Sequence, residues 1–132
     1  MAALKNAHFI GIDCFDLPDV SSYSAQPPVR MEEVVAYVKA FISERHTLGL
    51  VKANTLAMSS FPRADVIFVD GGHTKICIEN DVRLAKAAIN PSGLLIFHDY
   101  GQPRWPDVKA TLDAHFSPDQ MRVHGTLCVI QA

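Results

Sequence analysis

The chain has 132 residues, 48% of them hydrophobic and 20% charged, enough apolar material for one domain (1–132) to bury its own core without staples. Twelve basic against 14 acidic residues leave a formal charge of −2, which argues against nucleic acid or an anionic membrane as a partner held by bulk electrostatics. No apolar run approaches the roughly 20 residues of a membrane span, no signal peptide is evident at the start, and the scattered Cys14, Cys77 and Cys128 predict reduced thiols and a cytoplasmic setting.

The first apolar run, "AHFIGID" (7–13), reads as a buried strand ending on Asp13. "CFDLPDVSSYSAQPPVR" (14–30) gathers Pro, Ser and Asp without period and is expected to be a long loop. From Met31 the spacing turns helical. Met31, Val34, Val35, Val38, Phe41 and Ile42 recur at three and four, and Glu32 and Glu33 sit in the first turn, where acids suit the helix dipole.

"TLGLVKAN" (47–54) predicts a second strand, and the wholly apolar "DVIFVD" (65–70) a third, covered on both faces. After "GGH" a helix is expected over about 74–89, burying Ile78, Val82, Ala85 and Ile89, with "NPSG" (90–93) as its stop. "LLIFHDY" (94–100) predicts a fourth strand. Pro106 suits the first turn of a helix carrying Val108, Leu112 and Phe116 on one side. "MRVHGTLCVIQA" predicts two short strands around Gly125. The order is an α/β layer pattern: a Rossmann-like, mainly parallel sheet with helices on both faces and a C-terminal antiparallel hairpin.

Ligands of open parallel sheets bind beyond the carboxyl ends of the strands. Here those ends offer Asp13, Asn54, Asp70 with His73, and His98 with Asp99. Each alone has a structural explanation, because Asx side chains after strands bond nearby backbone amides. Their coincidence at one edge supports a site without naming it. Trp105 is expected to pack under a loop, and Tyr100 to bury its ring with the hydroxyl wet.

With these residues placed, the sequence resembles class I S-adenosylmethionine-dependent methyltransferases, in particular a small-molecule O-methyltransferase-like branch. "FVDGGHTKICIENDV" stands where that branch has F-I-D-G-x-H-x-Y, and "PSGLLIFHDY" where it has P-G-G-x-L-x-x-x-D-Y. "HFIGIDCFD", "GLVKANTLAMSSFPRADVIFVDG", "WPDVKATLDAHF" and "GTLCVI" are similar to its flanking strands and helix.

The resemblance implies a truncated class I fold and assigns roles. Asp13 would take the cofactor ribose and Asn54 would approach its adenine. Asp70 would stand at the cofactor and, with His98 and Asp99, hold a divalent cation. His73 would be the general base. Carboxylates suit Mg²⁺, whereas His98 is a softer ligand that leaves Mn²⁺ or Zn²⁺ open. The implied activity is S-adenosylmethionine-dependent, metal-assisted O-methylation of a small molecule.

The glycine-rich E-x-G-x-x-x-G turn after the family's first strand has no counterpart here. "MAALKNAH" would be the end of the helix after that turn. Three arrangements are then expected: the flanking strands pair directly, a second copy fills the gap in a homodimer, or the chain is part of a longer protein. The same absence supports an alternative reading, a non-catalytic binding or self-associating module on this scaffold. A metal-dependent hydrolase using Asp70, His73, His98 and Asp99 is a weaker third.

Overall fold

The computed structural model describes residues 7–14, 30–40 and 46–132. Most of the predicted 14–30 loop, and Phe41 and Ile42 of the first predicted helix, lie outside the described residues. The chain divides into two compact units, Met1–Ala57 and Met58–Ala132.

In the first unit, β1 (Ala7–Asp13) and β2 (His46–Lys52) form a two-stranded parallel sheet, with Ala7 opposite His46 and Asp13 opposite Lys52. Parallel neighbours need a crossover, and α1 (Met31–Lys39) lies on it, with Glu32 and Glu33 in its first turn and Lys39 in its last. Both strands stand where predicted, β2 ending two residues earlier than expected, but β1, expected to be buried, has only half-buried and exposed residues. A single 3₁₀ turn, Thr55–Ala57, follows β2.

The second unit is a four-stranded sheet in the order β3-β4-β6-β5, formed by β3 (Ala64–Val69), β4 (Ile89–Phe97), β5 (Met121–His124) and β6 (Leu127–Gln131). β3 and β4 are parallel, whereas β6 runs antiparallel to both β4 and β5, the predicted terminal hairpin. Among the described residues the backbone hydrogen bonds form these two sheets.

Helices α2 (Lys75–Ala88) and α3 (Pro106–His115) pack on one face of this sheet. Ile78, Val82 and Ala85 of α2 meet Val108 and Leu112 of α3 over Leu95, Phe97, Cys128 and Ile130. Leu84, Leu95, Leu112 and Phe97 are among the largest fully buried side chains, each contributing about 1.5–3 kcal/mol by leaving water. Thr74 caps α2, its Oγ1 accepting from the Cys77 N–H, and Pro106 stands in the first turn of α3 as predicted. Burial holds the Cys128 thiol above its ordinary pKa, so it is a packing group.

Two further points differ from the sequence reading: β3, expected to be covered on both faces, leaves Val66 and Phe68 exposed, and the start of β4 lies earlier. β4 begins at Ile89, not Leu94, and ends at Phe97, so "NPSG" is strand rather than helix stop. The Asn90 side chain donates to Asp65 Oδ1 at 2.9 Å and accepts from Arg63 Nε at 3.0 Å, pinning this segment beside β3. Ser92 turns through φ 64, and its N–H still reaches the Ala132 carbonyl at 3.2 Å. Gly93 is required by close approach: a Cβ there would lie 2.8 Å from the Asp65 carbonyl oxygen.

Candidate functional site

The parallel register of β3 and β4 sets Val69 opposite Phe97, so the residues that follow, Asp70 and His98, become neighbours. The His98 N–H donates to the Val69 carbonyl at 3.0 Å, extending the ladder by one rung. Side chains complete the link. His98 Nδ1 lies 3.1 Å from Asp70 Oδ1 and 3.4 Å from Asp99 Oδ1.

His73 arrives from the turn before α2 and places Nε2 2.7 Å from Asp99 Oδ2. Both side chains are partly buried, at 25% and 16% exposure, where a hydrogen bond between them is less screened than at the surface. One ligand atom from each of Asp70, His73 and Asp99 lies within 4.8 Å of the others. The second unit therefore gathers all four of its predicted site residues.

Asp13 and Asn54 belong to the first unit. Parallel pairing brings both to the carboxyl end of the β1–β2 sheet, where the Ala53 N–H donates to the Asp13 carbonyl at 2.9 Å. The Asp13 side chain is exposed. Asn54 Oδ1 accepts from the Leu56 N–H at 2.9 Å, the Asx turn that was its structural explanation.

Two further residues stand at the site: Trp105, which sequence reasoning placed under a loop, and Asp81, which it did not pick out. Trp105 stacks on His73, ring centroids 4.1 Å apart and planes inclined by 13°. It packs against the core, where a place under a loop was expected, and its ring neighbour is the imidazole. Asp81 is buried to 3% exposure on α2 and lines a small cleft with Asp70, Gly71, Gly72 and His73. A Cβ on Gly71 would lie 2.8 Å from Asp81 Oδ2, so this glycine makes room for a carboxylate of the protein itself. Asp81 had a signal: it falls three residues after Ile78, inside the apolar stripe of the helix.

Beyond Asp99, the Tyr100 hydroxyl donates to Asp113 Oδ1 at 2.7 Å, and Lys109 pairs with the same carboxylate. Asp113's hydrogen bond raises the Tyr100 pKa, and Lys109's hydrogen bond lowers that of Asp113. Tyr100 is thus a neutral donor that ties the end of β4 to α3.

A family model described as a methyltransferase domain matches residues 1–100, more than half of the chain. No curated protein matches significantly. Among solved structures, the O-methyltransferase NovP superposes with a TM-score of 0.68 at 16% identity, over 92% of this chain and 58% of that one. The apo structure of CalS11, a TDP-rhamnose 3′-O-methyltransferase of calicheamicin biosynthesis, gives 0.59 at 12% identity, over 92% and 56%. At such identities the likeness is one of fold, and the chain spans less than three fifths of either protein's length. The sequence signature, the element order and these matches agree: the chain belongs to the class I S-adenosylmethionine-dependent methyltransferase family.

Proposed function

We propose that this chain serves S-adenosylmethionine-dependent O-methylation of a small molecule, with a divalent cation assisting at the ends of β3 and β4. The observation behind this reading is the four-residue cluster: His73 bonded to Asp99, and His98 bonded to Asp70, at adjacent strand ends.

The donors fit a divalent cation. Asp70 and Asp99 supply hard oxygens, and His98 lies against both. An imidazole in the set favours Mn²⁺ over Mg²⁺. The cofactor ends fit less specifically: the exposed Asp13 carboxylate suits a ribose diol, while Asn54 Oδ1 is engaged in its turn, leaving the amide N–H₂ to meet adenine. When bound, S-adenosylmethionine supplies the electrophilic methyl group and the cation polarises the acceptor hydroxyl.

The remaining steps belong to the chain. With Nε2–H donated to Asp99 Oδ2, His73 keeps its lone pair on Nδ1. Nδ1 takes the acceptor hydroxyl's proton as that oxygen attacks the methyl group. The Asp99 carboxylate stabilises the imidazolium so formed.

Calorimetric titration with S-adenosylhomocysteine, with and without Mn²⁺, tests the reading. Saturable binding that weakens in Asp13→Ala is expected. No heat at millimolar ligand, from a chain shown to be folded, would overturn it.

One observation favours the self-associating module as the second reading. Val66 and Phe68 are 54% and 56% exposed on β3, an edge strand of the four-stranded sheet. Among the described residues β3 has one unpaired backbone edge beside this apolar face, and such a strand is self-complementary about a two-fold axis, so the occupant would be a second copy of the chain. Sedimentation would then show a dimer that Phe68→Lys dissociates; a monomer at every concentration rules this reading out.

A further inference from the structure

We propose that Trp105 is the positioning residue of His73, an assignment that rests on the reading of His73 as the general base. A hydrogen bond from Nε2 to Asp99 Oδ2 restrains the imidazole at one point of its rim. It leaves the ring free to swing about that point, out of the plane of the carboxylate. The indole face, 4.1 Å away and inclined by only 13°, closes off that swing. Edge and face together define the ring plane, and with it the direction of the Nδ1 lone pair.

Trp105 can restrain only if it is itself held. Its backbone N–H donates to the Gln102 carbonyl at 2.9 Å, and its own carbonyl accepts from the Val108 N–H at 3.1 Å. Its ring packs against the core, and the Arg104 guanidinium lies 4.8 Å from the indole centroid. Pro106 follows at once, fixing the entry to the helix. The next residue makes a second connection to the same turn: Asp107 Oδ2 accepts from the Lys75 N–H at 3.1 Å. Residues 105 and 107 thus grip residues 73 and 75, and the start of α3 registers the start of α2. Conformation at a base matters because small displacements of a reacting group cost large factors in rate.

The test reads the imidazole directly, in the cation-free chain. Long-range ¹H–¹⁵N spectra at alkaline pH are compared for the unmodified chain, Trp105→Phe and Trp105→Leu. The first two are expected to show one Nε2–H tautomer, and Trp105→Leu two nitrogens averaged toward a common shift while its circular dichroism is unchanged. Unaltered His73 resonances in Trp105→Leu would overturn the proposal, as would equal loss in Trp105→Phe.

A second measurement does not depend on the variants folding. The unmodified chain should show indole-to-imidazole Overhauser contacts and ring-current shifts of the His73 ring protons, and absence of both overturns the assignment. None of these readouts requires methyl transfer or cofactor binding. Failure of the proposed function and failure of the positioning role therefore give different results.

Discussion

Asp99 holds His73 from a backbone that few non-glycine residues adopt: its Oδ2 stands 2.7 Å from Nε2 while its φ is 59°. The left-handed region costs a β-carbon-bearing residue about 1–2 kcal/mol, less for Asp and Asn, and such outliers gather at functional sites. Here the bend is held by two backbone bonds, Gln102 N–H to the Asp99 carbonyl at 3.2 Å and Tyr100 N–H to Thr126 at 2.9 Å. The conformation turns the carboxylate back toward both histidines.

Substitutions at Asp99 separate conformation from charge. Asp99→Asn keeps the tolerance of positive φ and an oxygen acceptor, so its stability should stay within about 0.5 kcal/mol of the parent. Asp99→Ala should lose about 1 kcal/mol more, because alanine tolerates this region poorly. Both should weaken Mn²⁺ binding by about tenfold or more, through loss of a charged ligand. Urea unfolding and Mn²⁺ titration measure the two effects, and equal destabilisation by Asn and Ala would refute the backbone argument.

The two histidines should fail in different ways. His73→Ala is expected to remove about 10²–10⁴-fold of any methyl-transfer rate, the usual contribution of a general base. It should leave Mn²⁺ affinity nearly unchanged. His98→Ala should show the opposite ranking, with the larger loss in cation affinity. The reverse pattern would make His73 the metal ligand, which its position within 4.8 Å of Asp70 and Asp99 ligand atoms also permits.

What the sequence disclosed follows from how local each cause is. Strand β1, the Thr74-capped helix and the hairpin around Gly125 are written in short-range period and turn chemistry, and they stand where expected. The carboxyl-edge rule brought Asp70, His73, His98 and Asp99 together because parallel register is a regular geometry. The start of β4 was not legible. Asn90 after a helical stripe and before a proline reads as a stop, and only the Arg63–Asn90–Asp65 bonds, spanning 25 or more residues, show the strand already begun. Nor was the Trp105–His73 stack, made by residues 32 apart in sequence through a loop that has no period.

Gly71→Ala should be costly for a reason other than turn geometry. The new Cβ would sit 2.8 Å from Asp81 Oδ2, on a side chain only 3% exposed that would have to shift. Overpacking of this kind costs about 1–3 kcal/mol. In Asp81→Ser the offending carboxylate is gone, so adding Gly71→Ala should cost clearly less there than in the parent. A double-mutant cycle followed by chemical denaturation reads the coupling, and additive costs would show that the glycine serves the backbone instead.

The Tyr100–Asp113–Lys109 group should confer a weak pH dependence with a defined sign. Lys109's hydrogen bond depresses the pKa of Asp113 in the folded chain, so that contribution is present above the ordinary carboxylate value near 4 and fades as pH falls through the folded one. Tyr100 is shifted the other way, chiefly by the hydrogen bond to Asp113, so its contribution is present below about 10 and fades as pH rises through its raised value. The groups are largely exposed, with side-chain exposures of 52% for Lys109 and 37% for Asp113, so solvent screening keeps the effect at neutral pH small. Asp113→Asn removes the shared acceptor charge and should flatten both limbs together. Urea unfolding of the parent and this variant at about pH 3, 7 and 11 gives the comparison. A difference that persists unchanged at both extremes would assign the loss to packing of α3, because a packing defect does not titrate.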